Sequence, residues 1–179
     1  PLRSAMQCDV NGVNACMPDL LCEVGVKRMA FAINDERGGT PFQRPNAFYW
    51  RGPGGGRILV FNGYEYLRAN VYGMHRGFAA FCGGAQKLVD DLRRTNYALP
   101  VCLLQGCGTF DDNGLAVPWM AEMSRAWREN GAWREAIAAP GGAGHAGGAP
   151  PSAVAPLTVE SLEFVSASID EFFDALEQC

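Results

Sequence analysis

The chain has 179 residues, is 48% hydrophobic and 11% aromatic, and carries a formal net charge of -4, so it holds enough apolar material to bury one sizeable core in one domain. It has no Lys/Arg cluster dense enough for nucleic acid or an anionic bilayer, no run of about 18 apolar residues to span a membrane, and no charged and then apolar leader. Neither nucleic acid nor a membrane is an expected partner. The chain starts at Pro1 and enters a strand almost at once, which reads as a piece of a longer protein. Its cysteines (Cys8, Cys16, Cys22, Cys82, Cys102, Cys107 and Cys179) are odd in number and never spaced C-x-x-C. They are expected to be buried free thiols in a reducing, cytoplasmic compartment.

Leu2 to Cys8 is predicted as a strand. Pro18 to Gly25, with Leu20, Leu21 and Val24 at helical spacing and a terminal Gly, is predicted as a helix. Arg28 to Ile33 is again an apolar strand. A hairpin follows, with an aromatic strand from Ala47 to Arg51, a Gly/Pro turn from Gly52 to Gly56 and an apolar strand from Arg57 to Asn62. From Gly77 to Arg94, Phe78, Phe81, Cys82, Ala85, Leu88, Val89 and Leu92 trace one face of a long amphipathic helix. Leu99 to Gln105 is predicted as a buried strand. Val117 to Asn130 is predicted as a helix with Pro118 in its first turn, its Trp119 and Trp127, like the nearby Trp133, reading as core.

Between Ala138 and Pro156 the composition reduces largely to Gly, Ala and Pro, which is expected to form a flexible insertion. Leu162 to Val165 reads as a last strand, and Ser168 with Glu171 has the form of a capping box opening a final helix to about Glu177. Strands alternating with helices predict an α/β fold of parallel strands with crossover helices and an inserted β-hairpin: an open sheet or a partial β/α barrel. In either, chemistry belongs at the carboxyl ends of the strands.

Two sets of carboxylates fall there. Asp9 ends the first strand ahead of Val10, Asn11 and Gly12, and Asp111 with Asp112 follows Leu99 to Gln105 before a helix. Either could be a simple turn former. Together they suit glycoside hydrolysis, in which one carboxylate attacks or stabilises the anomeric carbon and a second, held protonated, assists the leaving oxygen. Side-by-side carboxylates repel when buried, which raises one pKa and favours an acid. His75 reads as a surface or loop residue and His145 lies in the insertion, so neither is an expected metal ligand. The glycine-rich stretches lack the Lys-Ser/Thr of a phosphate loop and read as turn and linker.

Asp9 with Gly12, the Tyr49, Trp50, Pro53 and Gly55 turn with its apolar strand Ile58 to Phe61, the tyrosines after it, Asp111 with Asp112, and the closing Phe164, Val165 and Ile169 to Ala175 form an ordered set. In order and spacing the set resembles the later part of the N-terminal catalytic domain of the zinc-dependent retaining α-mannosidases, glycoside hydrolase family 38. The resemblance spans residues 1–179 apart from the insertion at 138–156. It implies a partial β/α barrel, a mannoside substrate and a Zn2+ cofactor. By it, Asp9 is nucleophile and metal ligand, Asp112 is general acid/base, Asp111, Tyr64 and Tyr66 line the sugar site, and the remaining zinc ligands lie outside this chain. A catalytically inactive carbohydrate-binding or structural domain of the same fold is the alternative. A metal-dependent carbohydrate deacetylase would need a His-x-x-x-His spacing that the chain lacks.

Overall fold

The computed structural model describes residues 2–35, 38, 42–108, 118–131 and 157–179. Four strands, β1 (Ser4–Asp9), β2 (Arg28–Ile33), β3 (Asn46–Arg51) and β4 (Arg57–Asn62), make one sheet in the order β1-β2-β4-β3. β1 pairs in parallel with β2, and β2 with β4, while β3 is antiparallel to β4. The architecture is thus a mixed, mostly parallel α/β sheet, and among the described residues it is open: β1 and β3 are its two edges. The carboxyl ends of β1, β2 and β4 point the same way, so the loops leaving them gather at one rim.

Period-two alternation divides the sheet's side chains between two faces. Met29, Phe31, Ile33, Ile58 and Val60 face α1 (Met17–Glu23), whose Met17 and Leu21 pack against them. Trp50 joins this face, edge-on to Phe31 at 6.2 Å, so the tryptophan beside the hairpin turn is partly buried against the core. Ala30, Leu59 and Phe61 face the other way, onto Phe172, Phe173 and Leu176 of the chain's final helix (Ile169–Leu176). Of the remaining helices, α2 (Arg68–Val71) is a single turn, α3 (Phe78–Arg94) is the long one and α4 (Trp119–Glu129) packs against it. With these numbered, the final helix is α5. Between α3 and α4 lies a second core, in which Trp127 is fully buried and meets Phe81 at 5.9 Å and Phe164 at 5.3 Å.

The hairpin forms as expected. Gly52 N–H donates to Gly56 C=O at 2.8 Å, and Gly55 takes a φ of +94° that a side chain would disfavour. The capping box is complete: Glu171 N–H donates to Ser168 Oγ, and Ser168 N–H to the Glu171 carboxylate at 2.7 Å.

Two expected strands are absent. Leu99 to Gln105 is irregular, with a bend at Pro100, and joins no ladder; Leu99, Val101 and Leu103 lie on the α5-side core, so the segment packs on the sheet face instead of extending its edge. Leu162 to Val165 fails for a related reason. Its carbonyls are taken by side chains of α4, Trp127 Nε1 donating to Leu162 O at 3.0 Å and Arg128 Nη1 to Phe164 O at 2.9 Å. The cysteines are free thiols, but only Cys82 is buried outright and Cys8, Cys16 and Cys179 are exposed, against the expectation of a buried set. Among the described residues no helix is long and apolar enough to cross a membrane. Val117, Trp133, His145 and the stretch 138–156 lie outside the described residues.

Candidate active site

Asp9 is the last residue of β1, with its side chain exposed and a φ of +66°. Left-handed backbone is uncommon away from glycine and costs on the order of 1–3 kcal/mol unless the surroundings fix it. Here the turn beyond it is fixed by Gln7, whose Nε2 donates to Val10 O at 2.9 Å and Gly12 O at 3.0 Å. The bend ends β1 with the exposed Asp9 carboxylate at the rim.

Two side chains meet it there. Asn34 Nδ2, one residue beyond β2, donates to Asp9 Oδ1 at 2.9 Å, and Tyr66 Oη, in the loop after β4, donates to the same oxygen at 3.2 Å. One carboxylate oxygen is therefore held from the loops after β2 and β4, while Oδ2 accepts from no side chain among the described residues.

Behind this pair is a charged cluster. Asp35 follows Asn34 and takes one arginine on each oxygen, Arg44 on Oδ1 and Arg68 on Oδ2. Arg68 also approaches Glu65 at 3.6 Å and lies over the rings of Tyr64 and Tyr72. Burial lowers the Arg44 pKa, with Arg68 adding to the effect.

The other expected site residues divide. Tyr66 stands beside Asp9, whereas Tyr64 is buried in the core beneath Arg68, its pKa raised chiefly by burial. His75 lies in a short 3-10 turn (Met74–Arg76) with its ring 6.3 Å from Trp119, and burial lowers its pKa. Asp111 and Asp112 lie outside the described residues. The segment that leads to them is fixed at Cys107, whose N–H donates to Asn70 Oδ1 at 2.8 Å and whose carbonyl accepts from Asn70 Nδ2 at 3.1 Å and Trp119 Nε1 at 2.7 Å.

Asn34, Asp35, Arg44 and Arg68 were not singled out in the sequence. The available signal was positional: Asn34 and Asp35 leave a parallel strand at the same rim as Asp9. No curated protein and no solved structure matches the chain. The model of the glycosyl hydrolases family 38 N-terminal domain matches residues 1–140, and by that match the chain belongs to glycosyl hydrolase family 38.

Proposed function

We propose that the chain is the later part of the catalytic domain of an α-mannosidase-like enzyme that hydrolyses α-mannosidic bonds with retention, in a longer, cytoplasmic protein. The observation that carries the reading is Asp9: in a chain of a glycoside hydrolase family, it is an exposed carboxylate at the carboxyl end of a parallel strand, in left-handed backbone, held by Asn34 and Tyr66 on one oxygen. Its free oxygen would attack the anomeric carbon to form a glycosyl-enzyme. Asp112 would protonate the departing oxygen and then take a proton from the incoming water. Tyr66, already at the nucleophile, would line the sugar site, with Asp111 nearby in sequence. In this reading the open sheet is an arc of a β/α barrel.

A family 38 enzyme is expected to use zinc, and Asp9 offers the oxygen donor such an ion takes. Among the described residues no group of three or more His, Cys, Asp or Glu gathers to hold a metal, so on this reading the ligands beyond Asp9 would come from outside this chain. When bound the ion would hold sugar hydroxyls and help distort the ring.

The test compares two substitutions in the intact protein. Asp9→Asn should abolish turnover and weaken zinc binding together, because an amide is a poor nucleophile and a weaker ligand. Asp112→Asn should leave zinc bound and slow aryl mannosides with poor leaving groups far more than activated ones. Equal loss on both substrates in the Asp112 variant would remove it from the acid/base role. Absence of hydrolysis by the intact, zinc-loaded protein would overturn the enzymatic reading.

A further inference from the structure

We propose that Asp35, clamped between Arg44 and Arg68, is a positioning residue that locks the loop after β2 to the loop after β4 so that Asn34 and Tyr66 meet Asp9 Oδ1 together. The proposal rests on the reading of Asp9 as nucleophile.

The connectivity makes the case. Asn34 and Asp35 are consecutive, and Tyr66 precedes Arg68 by two residues, so the Asp35–Arg68 pair joins the two short segments that carry the two donors to Asp9. Arg44 closes the other side, with Nη2 on Asp35 Oδ1 and Nη1 donating to Ile33 O at 3.5 Å, so it grips the last residue of β2 as well as the carboxylate. The cluster is partly withdrawn from water: side-chain exposure is 15% for Arg44, 27% for Asp35 and 19% for Arg68. That setting strengthens ion pairs beyond what fully exposed ones contribute. Arg68 Nε is buried and makes no hydrogen bond, so Arg68 is held in plane by Asp35 and by the ring faces of Tyr64 and Tyr72. Removing the Asp35 charge would leave Arg44 and Arg68 to repel one another with Glu65, 3.6 Å from Arg68, as the remaining nearby carboxylate, which loosens the rim.

The position of the cluster separates this role from ordinary stabilisation. It touches the two loops that hold the Asp9 carboxylate, and it leaves the attacking oxygen uncovered. A nucleophile moved by about 1 Å can lose on the order of 100-fold in rate without any change in its chemistry.

The experiment uses the intact protein and Asp35→Asn, read by amide exchange and by kinetics. Exchange should rise by about tenfold or more both across residues 32–35 and at Gly63, Arg68 and Ala69, while the α3 amides near Leu88 and Val89 keep their protection. The kcat should fall about 10- to 100-fold with KM within about twofold, alike for activated and unactivated leaving groups, since the defect lies at the nucleophile. In a Tyr66→Phe or Asn34→Ala background the same substitution should cost less than about threefold, because the residue acts through those donors. Arg68→Lys, which keeps charge but loses the planar fork, should move every readout the same way and serves if Asp35→Asn does not fold. Loosening of one loop alone, full additivity in the two backgrounds, or a lowered melting temperature with wild-type kcat would each overturn the proposal. If the unaltered protein hydrolyses no glycoside, the functional reading fails, and the exchange result still decides whether Asp35 couples the loops.

Discussion

Asp19 sits in the first turn of α1, and its carboxylate reaches across to the β3–β4 turn, accepting from Gly54 N–H at 2.9 Å and Gly56 N–H at 2.7 Å. Two orphan amides of a tight turn are thus satisfied from a helix 35 and 37 residues earlier in the chain. The close approach also explains a glycine, since a Cβ on Gly56 would lie 2.8 Å from both Asp19 Cα and Pro18 O. Asp19→Ala should therefore destabilise by about 1–3 kcal/mol, the range for losing charged acceptors of partly buried donors. Gly56→Ala should cost at least as much, because backbone on both sides must move. Urea midpoints for the two variants check this, and an Asp19→Ala protein as stable as the parent would show the turn to be self-supporting. The Gly/Pro turn itself was legible as a hairpin signal, but the role of Asp19 was not, because nothing local to residue 19 points to residues 54–56.

Element by element, what was legible was what carries its own period or punctuation. The long helix showed its apolar face, the hairpin its glycines and the final helix its capping box, and all three formed within two residues of the expected limits. Segments whose conformation is set by partners were misread: in Leu99 to Gln105 and Leu162 to Val165 the side chains of Leu99, Val101, Leu103, Leu162 and Phe164 pack on the cores while the backbone pairs with no strand. The docking of α5 is likewise tertiary. Arg3 and Arg28, at the amino ends of β1 and β2, both reach Asp174, at 3.0 Å and 2.7 Å, and Arg28 also reaches Glu177. Hydrogen bonds from Arg3 and Arg28 hold the Asp174 carboxyl below its ordinary pKa of 3.8. A depressed carboxylate pKa adds stability that is complete above the unfolded value and is lost as pH falls through the folded one. The melting temperature should accordingly decline as pH drops below about 4, and Asp174→Asn should lower it at neutral pH while flattening that decline. A variant whose acid profile parallels the parent would place the acid sensitivity elsewhere.

At the scale of the molecule, the rim is where separate parts of the fold become one object. The alternation of strands and helices was enough to locate the edge at which Asp9 stands, because parallel strands send their carboxyl ends to one side. Of what lies around Asp9, Tyr66 was named through the family resemblance, but Asn34, Arg44 and Arg68 were not legible, because they converge only once three loops have been placed by the sheet. Asn70 extends that convergence to the second core. It is 1% exposed and brackets the Cys107 peptide, its Oδ1 taking the Cys107 N–H and its Nδ2 donating to the Cys107 carbonyl, which Trp119 of α4 also holds. One side chain thereby joins α2, the segment leading to Asp111 and Asp112, and the start of α4. Asn70→Ala strands a partly buried donor and weakens a carbonyl's support, so it should cost about 1–3 kcal/mol. Asn70→Asp is the sharper test, because it keeps the shape and the acceptor for Cys107 N–H but sets a carboxylate oxygen against the Cys107 carbonyl. It should be no more stable than Asn70→Ala. On the proposed reading, both variants should also shift the acid/base carboxylate and not the nucleophile, so turnover should fall more steeply for poor leaving groups than for activated ones. Loss that ignores the leaving group would mean that Asn70 supports the fold and leaves the placement of Asp112 to the residues beyond Cys107.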